Sequence, residues 1–271
     1  MRRIAVVNLK GGTGKSTTAT ALAVGLAGLG HRTLIVDADP SANATWTIGA
    51  GQGADLPTLA SVLTRDVSAE EAIRSTRTKG LDLLPSDASL GGVNVLLGQQ
   101  LGRDTRLRSA LAPIDGRYDF VIVDTGPTMT TLLANVLVFA HEVIVPLDPG
   151  VYAVLGLVQL QETIAEVREA YGNESLRLAG LLLTKTQRTA VCRDVERELR
   201  TRFGQLVFEA TIPLSAKIEE ACSRGLTVLD HAPKSPGAIA YQRLIEEISH
   251  GGTSKRGRGK TVGRARKIDA A

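Results

Sequence analysis

Two kinds of apolar pattern alternate along the chain. Short, near-continuous apolar runs rich in β-branched residues lie at 4–8, 33–36, 81–85, 120–123, 142–146, 176–184 and 207–212. Longer stretches with helical spacing lie at 15–29, 151–170, 190–203 and 236–249, with shorter ones at 57–64 and 69–76. The short runs predict strands buried on both faces, because a half-solvated strand would alternate apolar and polar positions. Gly30 falls where the first helix needs a C-terminal cap. Ser68, with Glu70 and Glu71 behind it, opens the 69–76 segment, and Pro236 stands in the first turn of the last helix. Strands alternating with helices predict an α/β protein whose mostly parallel sheet carries helices on both faces. No internal repeat or linker-like stretch breaks residues 1–250, so one domain is expected there, with a tail at 251–271.

Composition changes this picture in three places. Only two cysteines occur in 271 residues, Cys192 and Cys222, which excludes a disulfide scaffold or a CxxC metal site and fits a reducing cytoplasm. Both fall in expected helices and are expected to be structural, which argues against a metal-cluster carrier. The formal charge is +4. The tail holds seven basic residues against Asp269, so it carries +6 and the body −2. Being Gly-, Lys- and Arg-rich and nearly free of apolar residues, the tail is expected to be disordered. Four Phe, four Tyr and one Trp are too few for a base-stacking surface. No apolar run is long enough to span a bilayer, and the N-terminus has no signal-peptide pattern.

The candidate chemistry gathers after three strands. Lys10-Gly11-Gly12-Thr13-Gly14-Lys15-Ser16-Thr17 lies between the first strand and the first helix. Glycines there let backbone N–H groups wrap phosphates, and the helix N-terminus adds partial positive charge. Lys15 is placed to reach the β- and γ-phosphates and the Ser16 hydroxyl to ligate Mg²⁺. The standard phosphate-loop motif requires Gly where Leu9 stands, and a second lysine, Lys10, appears instead. Asp37-Ala38-Asp39-Pro40 ends the second strand, where open α/β sheets bind ligands. Asp39 is expected to orient an attacking water and Asp37 to support Mg²⁺. Val121-Ile122-Val123-Asp124 has the form of a Walker B strand, whose Asp holds Mg²⁺.

Together these residues resemble the ParA/MinD superfamily of deviant Walker A ATPases. Pro146-Leu147-Asp148, Tyr152 to Leu157 and Gln159-Leu160 resemble its ParA (Soj-like) chromosome and plasmid partition branch. So do Ile212-Pro213, Glu220-Ala221, Gly225, Pro233-Lys234-Ser235, Gly237-Ala238 and Tyr241. The resemblance covers about residues 1–248. It implies slow, partner-stimulated hydrolysis of ATP with Mg²⁺ in a nucleotide-induced homodimer. In that dimer Lys10 would cross to the partner's phosphates, Lys15, Ser16 and Asp124 would hold Mg·ATP, and Asp39 would position water. Gly11, Gly12, Thr13, Gly14 and Thr17 would complete the phosphate cradle, and the loops near Thr184 and Pro213 would receive adenine. The resemblance also implies a ParB-like centromere-binding partner, non-specific DNA binding and a cytoplasmic, nucleoid-associated location. The chain departs from the branch at Ser41-Ala42, where Gln-Gly is usual, at Gly126, where Pro is usual, and at Leu214, where Arg is common. With only three residues before the first strand, the helix-turn-helix domain of larger plasmid ParA proteins is expected to be absent.

Non-specific DNA binding needs clustered cations facing phosphates. Arg188, Arg193 and Lys217 are candidates by the resemblance, Arg224 by charge alone, and the tail as a flexible polycation. A MinD-like membrane anchor is not expected, since the tail has only Val262 and Ile268 as sizeable apolar residues among five glycines. Two cargoes stay open: a DNA replicon, or a protein assembly positioned on the nucleoid.

Overall fold

The computed structural model describes residues 1–49, 56–98, 100–150 and 153–250. Seven strands form one sheet: β1 (Arg2–Val6), β2 (Thr33–Ala38), β3 (Arg74–Ser75), β4 (Leu81–Leu84), β5 (Phe120–Thr125), β6 (Glu142–Leu147) and β7 (Arg177–Leu183). Their spatial order is β3-β4-β2-β5-β1-β6-β7. All neighbours are parallel except β3 against β4. The helices are α1 (Lys15–Gly28), α2 (Asn43–Ile48), α3 (Leu59–Thr64), α4 (Ala69–Ala72), α5 (Ser89–Gly98), α6 (Arg106–Leu111), α7 (Thr131–Phe139), α8 (Ala153–Tyr171), α9 (Ala190–Phe203), α10 (Ala216–Ser223), α11 (Val228–His231) and α12 (Pro236–Ser249).

Alternation along each strand feeds two cores. Ile4, Val6, Ile35, Ile122 and Ile144 face α1 and α12, while Ala5, Val36, Val121, Val123 and Val145 face α3, α5 and α7. β2, β5 and β6 are buried at every position, which is why they read as unbroken apolar runs. α1 is wedged between sheet and α12: Thr18 Oγ1 meets Tyr241 Oη at 3.3 Å, and Ile245 lies where any side chain on Gly25 would go.

Two expectations are corrected. Residues 207–212 do not form a seventh strand; their pairing with β7 is reduced to an isolated bridge at Val207. Phe208 and Ile212 donate to Leu181 O and Leu183 O, but the Ala210 amide is taken by Glu247 Oε1 at 2.7 Å. The segment therefore bows away from the ladder, with the Phe208 ring in the space over Gly180. The 69–76 segment is helical only to Ala72. Ser68 opens it as expected and forms a capping box with Glu71, then Ile73 turns extended and Arg74–Ser75 become the antiparallel edge strand. The tail and Val151 lie outside the described residues, and no described helix is long and apolar enough to cross a membrane.

Candidate functional site

The phosphate loop runs from β1 into α1. Gly12 and Gly14 take φ of +73° and +85°, a region that side chains disfavour, so glycine there lets the chain reverse directly into the helix. α1 opens without a side-chain cap, leaving its first amides for a ligand. The loop is braced from two sides. Asn8 donates to Pro146 O at 2.6 Å and accepts from the Lys10 amide at 2.8 Å, while Thr184 Oγ1 donates to Thr13 O at 2.9 Å.

The two lysines of this loop are placed oppositely. Lys15 is only 7% exposed and its Nζ donates to Lys10 O at 3.3 Å. Burial lowers the pKa of its ammonium, and the charges of Asp124 and Asp39 pull it back up. Lys10 points outward. Its side chain is 58% exposed, and Nζ contacts both carboxylate oxygens of Asp148, at 2.9 and 2.7 Å.

Three carboxylates face this loop. Asp37 and Asp124 are the penultimate residues of β2 and β5, where they pair in register and are fully buried. Asp37 accepts the Thr45 amide at 2.7 Å, the Thr45 hydroxyl at 2.8 Å and the Asp39 amide at 3.1 Å. Burial pushes its carboxyl up to about 6 against those bonds. Asp124 accepts the Thr125 amide on Oδ1 at 3.0 Å, and its buried Oδ2 has no hydrogen-bond partner. Burial raises its pKa well above the usual carboxylate range, Asp37 adds to the rise, and a contact with the Ser16 hydroxyl opposes it. Asp39 is held by the Ser41 amide at 2.9 Å and by the Ser86 hydroxyl on its carbonyl at 2.7 Å.

A cleft of about 550 Å³ opens over these groups. Its lining includes Gly11, Gly12, Gly14, Lys15, Ser16 and Thr17 on the phosphate-loop side, Asp39, Ser41, Asn43, Trp46 and Thr47 on a second side, and Lys185, Ile218 and Cys222 on a third. Beyond Trp46 a cavity of about 740 Å³ holds none of the phosphate-loop residues. Thr184 and Pro213, expected beside the base, do not line the cleft. Thr184 faces inward to the phosphate loop, and Pro213 bridges Thr186. Lys185 and Ile218, from the same segments, line it instead. The bracing residues Asn8, Thr45, Ser86 and Asp148 carry no spacing signal of their own. Asp148 alone fell within a motif of the resemblance.

No group of three or more His, Cys, Asp or Glu among the described residues forms a preformed metal cage. Asp124 Oδ2, buried and unpartnered beside Ser16, nevertheless suits a hydrated divalent cation, which takes few protein ligands. Asp37, expected to support Mg²⁺, differs in that its oxygens already accept from Thr45 and the Asp39 amide.

The four basic candidates differ. Arg188, Arg193 and Arg224 are exposed and have no ion-pair partner among the described residues. Lys217 is exposed but engaged by Glu220 at 2.7 Å. The two cysteines are free; Cys192 is buried in α9 and Cys222 is partly buried in α10.

The AAA domain family profile matches residues 1–178. The chromosome-partitioning ATPase Soj of Thermus thermophilus is 42% identical over 249 residues, covering 92% of this chain and 95% of that protein. The chromosome partitioning protein ParA of Caulobacter vibrioides is 38% identical over 251 residues, covering 92% and 94%. A Mycobacterium smegmatis structure described as cobyrinic acid a,c-diamide synthase, with bound ATP analogue and magnesium, superposes with a TM-score of 0.80 at 34% identity, over 95% of this chain and 97% of that one.

Proposed function

From its membership of the ParA/Soj family of partitioning ATPases, we propose that this chain is a nucleotide-switched DNA-partition motor. ATP is the substrate, and the nucleotide-loaded protein dimerises and binds DNA without sequence preference. A ParB-like partner stimulates hydrolysis, and hydrolysis releases the protein from the nucleoid. The observation that carries the reading is the opposite placement of the loop's two lysines. Lys15 is buried against its own phosphate loop, whereas Lys10 projects from it into a half-exposed ion pair with Asp148, from which it can be released to serve a second copy. The near full-length identity to ParA and Soj supports partition over the synthase named for the M. smegmatis structure.

Phosphoryl transfer depends on positioning and charge neutralisation. The α1 amides and Lys15 hold the β- and γ-phosphates, and Gly11, Gly12, Thr13, Gly14, Ser16 and Thr17 complete the cradle. Ser16 Oγ and, through water, Asp124 would hold a magnesium ion, which neutralises phosphate charge when bound. Asp37 acts from behind, orienting Thr45 and the Asp39 turn. Asp39 orients the attacking water, and Lys10 of a second copy stabilises charge on the transferred phosphoryl, so chemistry waits for dimerisation. Arg188, Arg193 and Arg224, with the basic tail, supply the DNA contacts, and Lys217 contributes once released from Glu220.

The test is binding to a random-sequence duplex with ATP, ADP or no nucleotide, across a salt series. Salt-sensitive binding only with ATP is expected. Equal binding in all three states would reduce the DNA affinity to a passive polycation and refute the switch. Binding with ATP to vesicles rather than DNA would refute the DNA surface.

A further inference from the structure

Two contacts outside the phosphate machinery tie opposite walls of the cleft together. α2 follows directly from the Asp39 turn and forms one wall; α10 and the turn after it form the other. Trp46 Nε1 of α2 donates to Cys222 O at 3.1 Å. Arg77 Nη2 donates to Thr47 O at 3.0 Å and to Gly225 O at 2.9 Å, so one guanidinium nitrogen bridges both walls. Thr47 O belongs to the last turn of α2, where a cation is favoured. Among the described residues no carboxylate pairs with Arg77. The closeness of the walls is built into the backbone: a Cβ on Gly225 would lie 3.1 Å from Trp46 O and 3.6 Å from its indole.

The phosphate loop is fixed independently, by Thr184 and Asn8. Asp37 and Ser86 hold the start of α2 and the Asp39 turn, so losing the Trp46 and Arg77 bonds would loosen the C-terminal end of α2 and shift that turn on its remaining bonds, while leaving the cradle intact. We propose that Trp46 and Arg77 form a strap that sets the spacing between α2 and α10, and that both are positioning residues for Asp39. The inference rests on Asp39 as the water-orienting group. Neither residue touches the reacting atoms.

The experiment compares Arg77→Ala, Arg77→Lys and Trp46→Phe with wild type, each first shown to be folded by its melting transition. Single-turnover hydrolysis gives the chemical rate, and a fluorescent ATP analogue gives nucleotide Kd. Arg77→Ala is expected to lower the rate about tenfold with Kd changed less than twofold. Arg77→Lys, able to reach one carbonyl, should recover part of the rate. Trp46→Phe keeps the ring, loses the N–H and should slow hydrolysis in the same direction. Because Trp46 is the only tryptophan, its emission in Arg77→Ala reports the strap directly and should shift to the red. An unchanged rate in folded Arg77→Ala and Trp46→Phe would overturn the strap, as would a Kd that weakens in step with the rate. Wild-type hydrolysis by Asp39→Ala would instead overturn the role of Asp39; an unshifted Trp46 emission in Arg77→Ala would then also remove the strap. If Arg77→Ala does not fold, the rate and Kd of Trp46→Phe decide.

Discussion

Asp124→Asn should stabilise the metal-free protein while removing its response to magnesium and ATP. Asp124 is 0% exposed, lies in register with Asp37, and leaves Oδ2 without a partner. A buried polar atom with no partner costs about 1–3 kcal/mol, more when it is charged. Asp37 shows the scale of holding carboxyls here: a rise from an ordinary 3.8 to about 6 corresponds to roughly 3 kcal/mol. The sign follows from linkage. The folded state holds this proton more tightly than the unfolded chain does, so the stability it contributes is complete below about pH 4 and is lost as pH rises through about 6. Asn at 124 removes one charge from this cluster and presents an amide to its neighbours. A gain on the order of 2 kcal/mol at pH 7.5 is expected, or about 4–8 °C in Tm. Calorimetry in EDTA at pH 7.5 and pH 5, and again with Mg·ATP, tests this. The variant should melt above wild type in EDTA at pH 7.5, the gap should narrow at pH 5, and Mg·ATP should reverse the order. A variant melting below wild type in EDTA at pH 7.5 would refute the assigned burial cost. An equal response to Mg·ATP in both proteins would remove Asp124 from the metal site.

Asp39→Ala keeps every phosphate contact and should bind ATP normally while losing most hydrolysis, trapping the loaded form on DNA; a filter-binding assay beside a phosphate-release assay would expose the opposite. Asp148→Asn frees Lys10 from a half-exposed ion pair worth about 0.2–1 kcal/mol, so ATP-driven dimerisation should occur at up to about fivefold lower concentration in sedimentation velocity; weaker dimerisation would contradict a restraining role. Gly180→Ala places a Cβ 2.3 Å from the Phe208 ring, and such overpacking typically destabilises by about 1–3 kcal/mol. A urea midpoint equal to that of wild type would show that Phe208 moves aside freely.

The sheet was readable because its central strands are buried on both faces, which writes an unbroken apolar run into the sequence. Residues 207–212 carry the same kind of run and are not a strand. What displaced them was Glu247, more than thirty residues away, capturing the Ala210 amide, and no local pattern records that. The two-residue strand Arg74–Ser75 was hidden for the converse reason: it is short and polar, and exists because Leu83 and Asp82 offer it an edge. At the site, Lys15 and Ser16 were singled out by their spacing within the loop motif and Asp39 by its place after the second strand, and the structure brings the three to one cleft. Asp37 was read as an acid ending the second strand that supports Mg²⁺; its burial and its engagement by Thr45 became visible only in three dimensions. Thr184 was singled out by its place after a strand end, and its hydrogen bond to the phosphate loop became visible only in three dimensions.

The strand order has a consequence for synthesis on the ribosome. β1 carries the phosphate loop, yet its two neighbours are β5 and β6, which begin at Phe120 and Glu142. The Thr13 brace arrives later still, with Thr184. The phosphate-loop segment therefore cannot acquire its nucleotide-competent shape until Thr184, 171 residues beyond Thr13, has been made. Until β5 has been made, the apolar edges of β1 and β2 stand without their partner, the kind of exposed surface that chaperones hold and that aggregates when it is not held. A nascent chain stalled before residue 147 should gain no protease resistance from ATP, whereas one released past residue 184 should begin to.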